Sequence, residues 1–194
     1  LRKLLFYLLL LATSSLPAQD AAYTAIADRL ATYAQRAMAW DVEGLLDLTD
    51  PELFEVISRD DMARQWRGLR SDENLLIEVR NFVIDEIGEI VTYHGEAFSP
   101  VSCHHQIVFT PRTAAYRTPE FRSRLRGMLE KNYGPGSVRL STVDHQLIVL
   151  VKKSMFAVRR GSRAQWYFIE YRPENAVLLD LLLPPVVRAL VGLE

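Results

Sequence analysis

A single cysteine, Cys103, stands in a chain of 194 residues. It cannot close an internal disulfide, so in an oxidising compartment this fold must stand on packing alone. It also lacks the exposed, electropositive setting of a reactive thiol, and a buried position is expected for it. Nucleotide loops, nucleophile turns and low-complexity tracts are missing too, which removes P-loop and Ser-His-Asp chemistry from consideration. The net charge is only −1, which argues against a strongly charged partner. No basic stretch is interleaved with aromatics in the manner of a nucleic-acid surface, so no nucleic acid is expected. Four histidines are present. His94 and His145 fall in expected turns, while His104 and His105 are neighbours on an expected strand and point to opposite faces. Neither a metal site nor a cofactor follows from that spacing.

What is present begins with Arg2 and Lys3, an apolar run from Leu4 to Ala12, and small or polar residues up to Ala18. This is the pattern of a secretory signal peptide over 1–18, with cleavage after Ala18. The run is shorter than the roughly 20 apolar residues of a stable span, so no stable membrane insertion is expected after cleavage. An uncleaved anchor is the competing reading. Export would place residues 19–194, one domain with a real core, in the periplasm or outside the cell. Charge is polarised along that domain: residues 19–98 carry 17 acidic and 7 basic groups, and residues 99–172 carry 4 and 13. Acidic helices lying against a basic sheet explain this, and a basic patch for an anionic ligand or lipid surface is the functional alternative.

Taken in order, Tyr23, Ile26, Leu30, Tyr33, Ala37 and Trp40 recur in steps of three and four and predict a helix with one buried stripe over 21–40. Asp41 is an N-cap for a second turn. Asp50-Pro51 reads as a cap with proline at the first helical position, and Ser58 with Asp61 as a capping box. From Leu75 the period shortens to two: Leu75, Ile77 and Val79, then Phe82 and Ile84, with an irregularity near Gly88. His94-Gly95-Glu96 signals a hairpin. The following strand puts Val101, Cys103, His105, Ile107 and Phe109 on one face, so His105 points inward. Thr118-Pro119 opens a further helix near 119–132, ended by Gly134. Strands follow near 137–143, 146–158 and 164–171, the last with Trp166, Phe168 and Glu170 on one face. A final helix begins at Glu174. The pattern predicts an α+β fold with N-terminal helices packed on a curved antiparallel sheet.

The segments YAQRAMAWDVEGLLDLTDPELF and WYFIEY resemble the opening helices and late strand of the nuclear transport factor 2-like superfamily. DPELFEVISRDDM, the KNYG turn and the terminal LLPPVV are similar to a secreted bacterial group of that fold. The resemblance covers residues 21 to about 172, with the helix near 119–132 as an insertion. It implies a cone, cystatin-like in outline, with a pocket between the first helix and the sheet. Some relatives, such as ketosteroid isomerase, carry out acid–base chemistry there and others only bind, so the resemblance does not choose between these. None of the isomerase's catalytic residues matches a motif here.

The candidate pocket residues are His105, Tyr23, Tyr33, Trp40, Trp166 and Glu170. An inward imidazole titrates near neutral pH, the tyrosine hydroxyls need partners if buried, and a carboxylate among aromatics has its pKa raised. For His105 the competing reading is a satisfied core histidine, and for Glu170 a strand end that reaches solvent. The preferred function is binding of a small apolar molecule or an envelope protein. An isomerase, dehydratase or cyclase using His105 with Tyr23 or Tyr33 and Glu170 is the alternative. A homodimerising interaction module is the third.

Overall fold

The computed structural model describes residues 16–141, 145–171 and 176–189. The stretch read as a leader lies outside them except for 16–18, and so do Glu174 and the end of the strand expected near 143. The first helix, α1 (Leu16–Ala39), buries Ile26, Leu30 and Tyr33 of its stripe. It stops at Trp40, whose φ of 57° lies in the left-handed region and cannot continue a helix. A second helix, α2 (Val42–Leu46), starts at once, because the Asp41 carboxylate accepts the Gly44 amide at 2.9 Å and so satisfies an orphan donor of its first turn. The Arg36 guanidinium binds the same carboxylate.

Two expected caps are not formed. Helix α3 (Leu53–Val56) begins after Glu52, and the Asp50 side chain turns away to meet Arg160. Helix α4 (Arg59–Gly68) has Ser58 at its N-cap without a side-chain bond. Asp61 pairs with Arg64 instead; it is a methylene shorter than the glutamate that normally reaches back to the cap amide.

The sheet has six antiparallel strands: β1 (Leu75–Ile87), β2 (Val91–Tyr93), β3 (Glu96–Pro111), β4 (Val138–Leu140), β5 (Leu147–Arg159) and β6 (Tyr167–Tyr171). Their order is β1-β3-β5-β4, with β2 added to β3 and β6 to β5. His94 and Gly95, at φ 49° and 82°, make the two-residue turn between β2 and β3, as the right-handed twist of a hairpin requires. The irregularity expected near Gly88 is the break between β1 and β2, and the register of β1 on β3 also shifts earlier, between Arg80 and Val83 and again between Ile84 and Glu86. At the first shift Asn81, at φ 52°, and Phe82 both stand against His105. This bulge keeps Val79 before it and Ile84 after it on one face.

Helix α5 (Pro119–Tyr133) follows β3 and a 3-10 turn at Ala114–Arg117. Thr118 caps it by accepting the Phe121 amide at 3.2 Å. Thr118→Ala is expected to cost about 1 kcal/mol, read as a shift in the urea midpoint with an unchanged slope. The last described elements are α6 (Ala176–Leu182) and α7 (Pro185–Ala189).

One sheet face carries the odd-numbered residues of β5. Helix α1 covers its Met155 and Ala157 end together with Cys103, and α5, through Leu125 and Leu129, covers its Leu147 and Val149 end. The opposite face is covered at one end, where Leu179, Leu182, Leu183 and Val187 pack on Phe98, Phe156 and Ile169.

Candidate functional site

The two helices that cover the inner face of the sheet leave its middle open, at His105 and Ile107 of β3 and at Val151 and Lys153 of β5. A cavity of about 210 Å³ lies there, closed by Tyr33 and Trp40 near the end of α1, Trp66 of α4, Phe82 of β1 and Tyr133 at the end of α5. A second cavity of about 270 Å³ adjoins it and shares Tyr33, Leu45, Trp66 and Glu170; beyond these it is lined by Leu53, Ile57 and Met62. The walls of both are mainly apolar and aromatic, with a few polar groups, the make-up of a ligand pocket.

Three of those polar groups, Tyr33, Lys153 and Glu170, form one cluster. The Lys153 ammonium lies 2.9 Å from a Glu170 carboxylate oxygen and donates to the Tyr33 hydroxyl oxygen at 3.2 Å. It also stands 5.5 Å from the centre of the Tyr33 ring. Burial works against the charge on Lys153, but Tyr33 and Glu170 outweigh it and hold the lysine pKa above its ordinary value. Burial also raises the Tyr33 hydroxyl, against the opposing pull of Lys153. The cluster is therefore an ammonium–carboxylate pair beside a neutral phenol. Because Lys153 donates to the Tyr33 oxygen, the phenol keeps its own O–H to give to a third group.

His105 faces the same cavity, 6% exposed. Its ring stacks on Phe82, centroids 5.5 Å apart and 4° from parallel, and its buried Nδ1 has no hydrogen-bond partner among the described residues. Burial pushes its pKa down to about 4, with the Lys153 charge acting in the same sense and Glu170 against. The ring is neutral at physiological pH. Cys103, on the same strand face, is buried, and burial pushes its thiol up to about 11. It is inert there.

The structure brings His105, Tyr33, Trp40 and Glu170 together around one cavity. Tyr23 and Trp166 are elsewhere. Tyr23 lies ten residues up α1 from Tyr33, about 15 Å along the axis. Trp166 is a core side chain whose carbonyl accepts from Arg29 at 3.0 Å and whose ring lies under Arg159. Glu170 does not simply reach solvent, since it pairs with Lys153.

Lys153 is the residue that sequence reasoning missed. Its signal was present: it falls on the inward beat of Val149, Val151, Met155 and Ala157, where a charge needs a partner. Among the described residues no group of three or more His, Cys, Asp or Glu could hold a metal ion. No helix among them is long and apolar enough to cross a membrane. No protein-family model matches this chain, and no curated protein matches it.

Proposed function

We propose that this chain is an exported binding protein of the cone type. Its ligand is a small, mainly apolar molecule held between α1, α5 and the sheet, with one polar group met by Tyr33. The observation that carries this reading is the Tyr33–Lys153–Glu170 cluster set in a mainly apolar cavity wall. Lys153 fixes the phenol and polarises it, while Glu170 neutralises the lysine, so the cluster offers a directed O–H donor with no net charge. The leader-like start of the sequence supports a place in the cell envelope.

The acid–base reading is less well supported. His105, held at about 4, is a weak base at neutral pH, and Tyr33, raised above its ordinary value, is a weak acid there. Efficient proton transfer favours groups poised near the working pH. These two are displaced in directions that suit a neutral pocket.

Decanol is a suitable neutral probe, followed by calorimetry or by the fluorescence of Trp40 and Trp66 in the wall. It is expected to bind the full chain. Ala37→Phe, which fills the cavity from α1, is expected to abolish that binding while the protein still melts cooperatively. Tyr33→Phe keeps the ring and removes the O–H, and is expected to weaken decanol about fivefold, the worth of one ordinary hydrogen bond. Failure of decanol to bind, or binding that survives Ala37→Phe, would remove the reading.

A further inference from the structure

The cavity adjoins a gap in the sheet. One edge of β5 pairs with β3 along its whole length. The other edge is divided: β4 takes Leu147–Val149, and β6 takes Ser154–Val158. The Leu150 amide still donates to the Ser137 carbonyl at 3.2 Å. Among the described residues no strand stands against 151–153 on that side. Alternate residues of a strand turn their amides to the same edge, so the backbone N–H and C=O of Lys152 face the gap.

A cleft of about 540 Å³ fills it. Tyr133, Val151, Lys153 and Glu170 belong to the walls of both the cleft and the inner cavity. The Lys153–Glu170 pair stands at the boundary, with its two side chains 12% and 29% exposed.

The cleft differs from the cavity in charge. Arg139, Lys152 and Lys153 line it against the one carboxylate of Glu170. Lys153 neutralises that carboxylate. Arg139 and Lys152 are exposed and have no ion-pair partner among the described residues. Among the described residues the cleft therefore offers two cations without an ion-pair partner and a backbone amide that no strand takes, next to a cavity walled by Trp40, Val42, Phe82 and Ile107. The gap is too short to take an added strand, which typically has five or six residues.

We propose that the ligand is a single-chain amphiphile with an anionic head. Its tail lies in the inner cavity, it passes the Lys153–Glu170 pair, and its head rests in the cleft against Arg139, Lys152 and the Lys152 amide. This assignment rests on the apolar cavity of the binding reading above, carries a charged polar end past Tyr33 into the cleft, and adds the head-group charge and the way in.

Three probes with the same alkyl chain separate the two claims: decanoate, decanol and decyltrimethylammonium, each titrated into the full chain below its micelle concentration, at low salt and mildly alkaline pH. Decanoate is expected to bind roughly tenfold more tightly than decanol, from two partly exposed charge contacts, and to lose that advantage in high salt. The surface double variant Arg139→Gln/Lys152→Gln is expected to bring decanoate to the affinity of decanol and to leave decanol unchanged. Decanoate no tighter than decanol, an advantage that survives the double variant, or preference for the ammonium probe would each overturn the head-group assignment and leave the cavity reading standing. Binding of none of the three would remove both.

Discussion

Arg160→Met is expected to destabilise the folded chain by about 3–5 kcal/mol, a large part of the 5–15 kcal/mol that holds a typical domain together. Arg160 is 7% exposed and Asp50 is fully buried. The guanidinium donates twice to one Asp50 oxygen, from Nε at 3.1 Å and from a terminal nitrogen at 2.8 Å. It also reaches the Leu182 carbonyl at 2.8 Å and Glu96 at 3.0 Å. Glu52 stands at 3.2 Å, and the Phe98 ring lies 5.4 Å beneath. One side chain thus ties the segment before α3 and the end of α6 to the start of β3. Burial raises the Glu52 carboxyl, with Arg160 opposing and Asp50 and Glu96 adding to the rise. Three carboxylates are therefore gathered on one cation.

Methionine at 160 keeps the volume and strands a buried carboxylate at Asp50, whose second oxygen already has no partner among the described residues. The cost is the unpaired charge, so removing it should recover most of the loss. Arg160→Met/Asp50→Leu is expected to be markedly more stable than Arg160→Met alone, and the coupling can be read from a double-mutant cycle in urea. A loss below 1 kcal/mol for Arg160→Met would mean that water reaches this network and that it does not tie the segments together.

Acid should act through His105 before it acts through the carboxylates. The folded-state pKa of His105 is about 4, against an ordinary 6.5. Between those values the unfolded chain binds a proton there that the folded chain refuses. Stability from this group is complete above pH 6.5 and is lost as pH falls toward 4. A gap of this size is worth about 3 kcal/mol in all, of which about 2 kcal/mol should disappear between pH 6.5 and 4.5.

The titratable groups near the ring are Lys153 from β5, Glu170 from β6 and His104 beside it on β3. Of these, Lys153 holds its proton throughout the window. His105→Phe preserves a flat ring against Phe82 and is expected to flatten the stability profile between pH 6.5 and 4.5. The readout is the difference between two pH values within each protein, so any change in packing cancels. Equal slopes for the parent and the variant would show that His105 takes up its proton in the folded state, as it would if the cavity were open to water.

Local order was legible because it depends on local spacing. The step of three and four along α1 put Ile26, Leu30 and Tyr33 on one buried stripe. His94-Gly95 announced its hairpin because a turn with two positive φ values suits the strand twist and glycine takes such a φ without strain. The alternation through Val101, Cys103 and His105 placed the imidazole inward. Where one local signal competed with a distant partner, the partner won. Asp50 read as a helix cap, yet its carboxylate is spent on Arg160, 110 residues away.

The candidate site was half legible for the same reason. Period alone gave His105, Tyr33 and Glu170 a face, and it gave Tyr23 and Trp166 an equal claim, because period says nothing of position along the sheet. Tyr33 and Lys153 are 120 residues apart and meet only because the register of β3 on β5 and the packing of α1 bring them together. The gap on β5 arises because β4 and β6 are both short and pair with different ends of it. The sequence by itself determined the α+β class, the element order and the inward faces, since each follows from periods of a few residues. Tertiary structure alone decided which inward groups share a cavity, where Lys153 finds its counter-charge and where that cavity meets solvent. Those depend on strand register and helix placement, which are set by the summed packing of the whole chain.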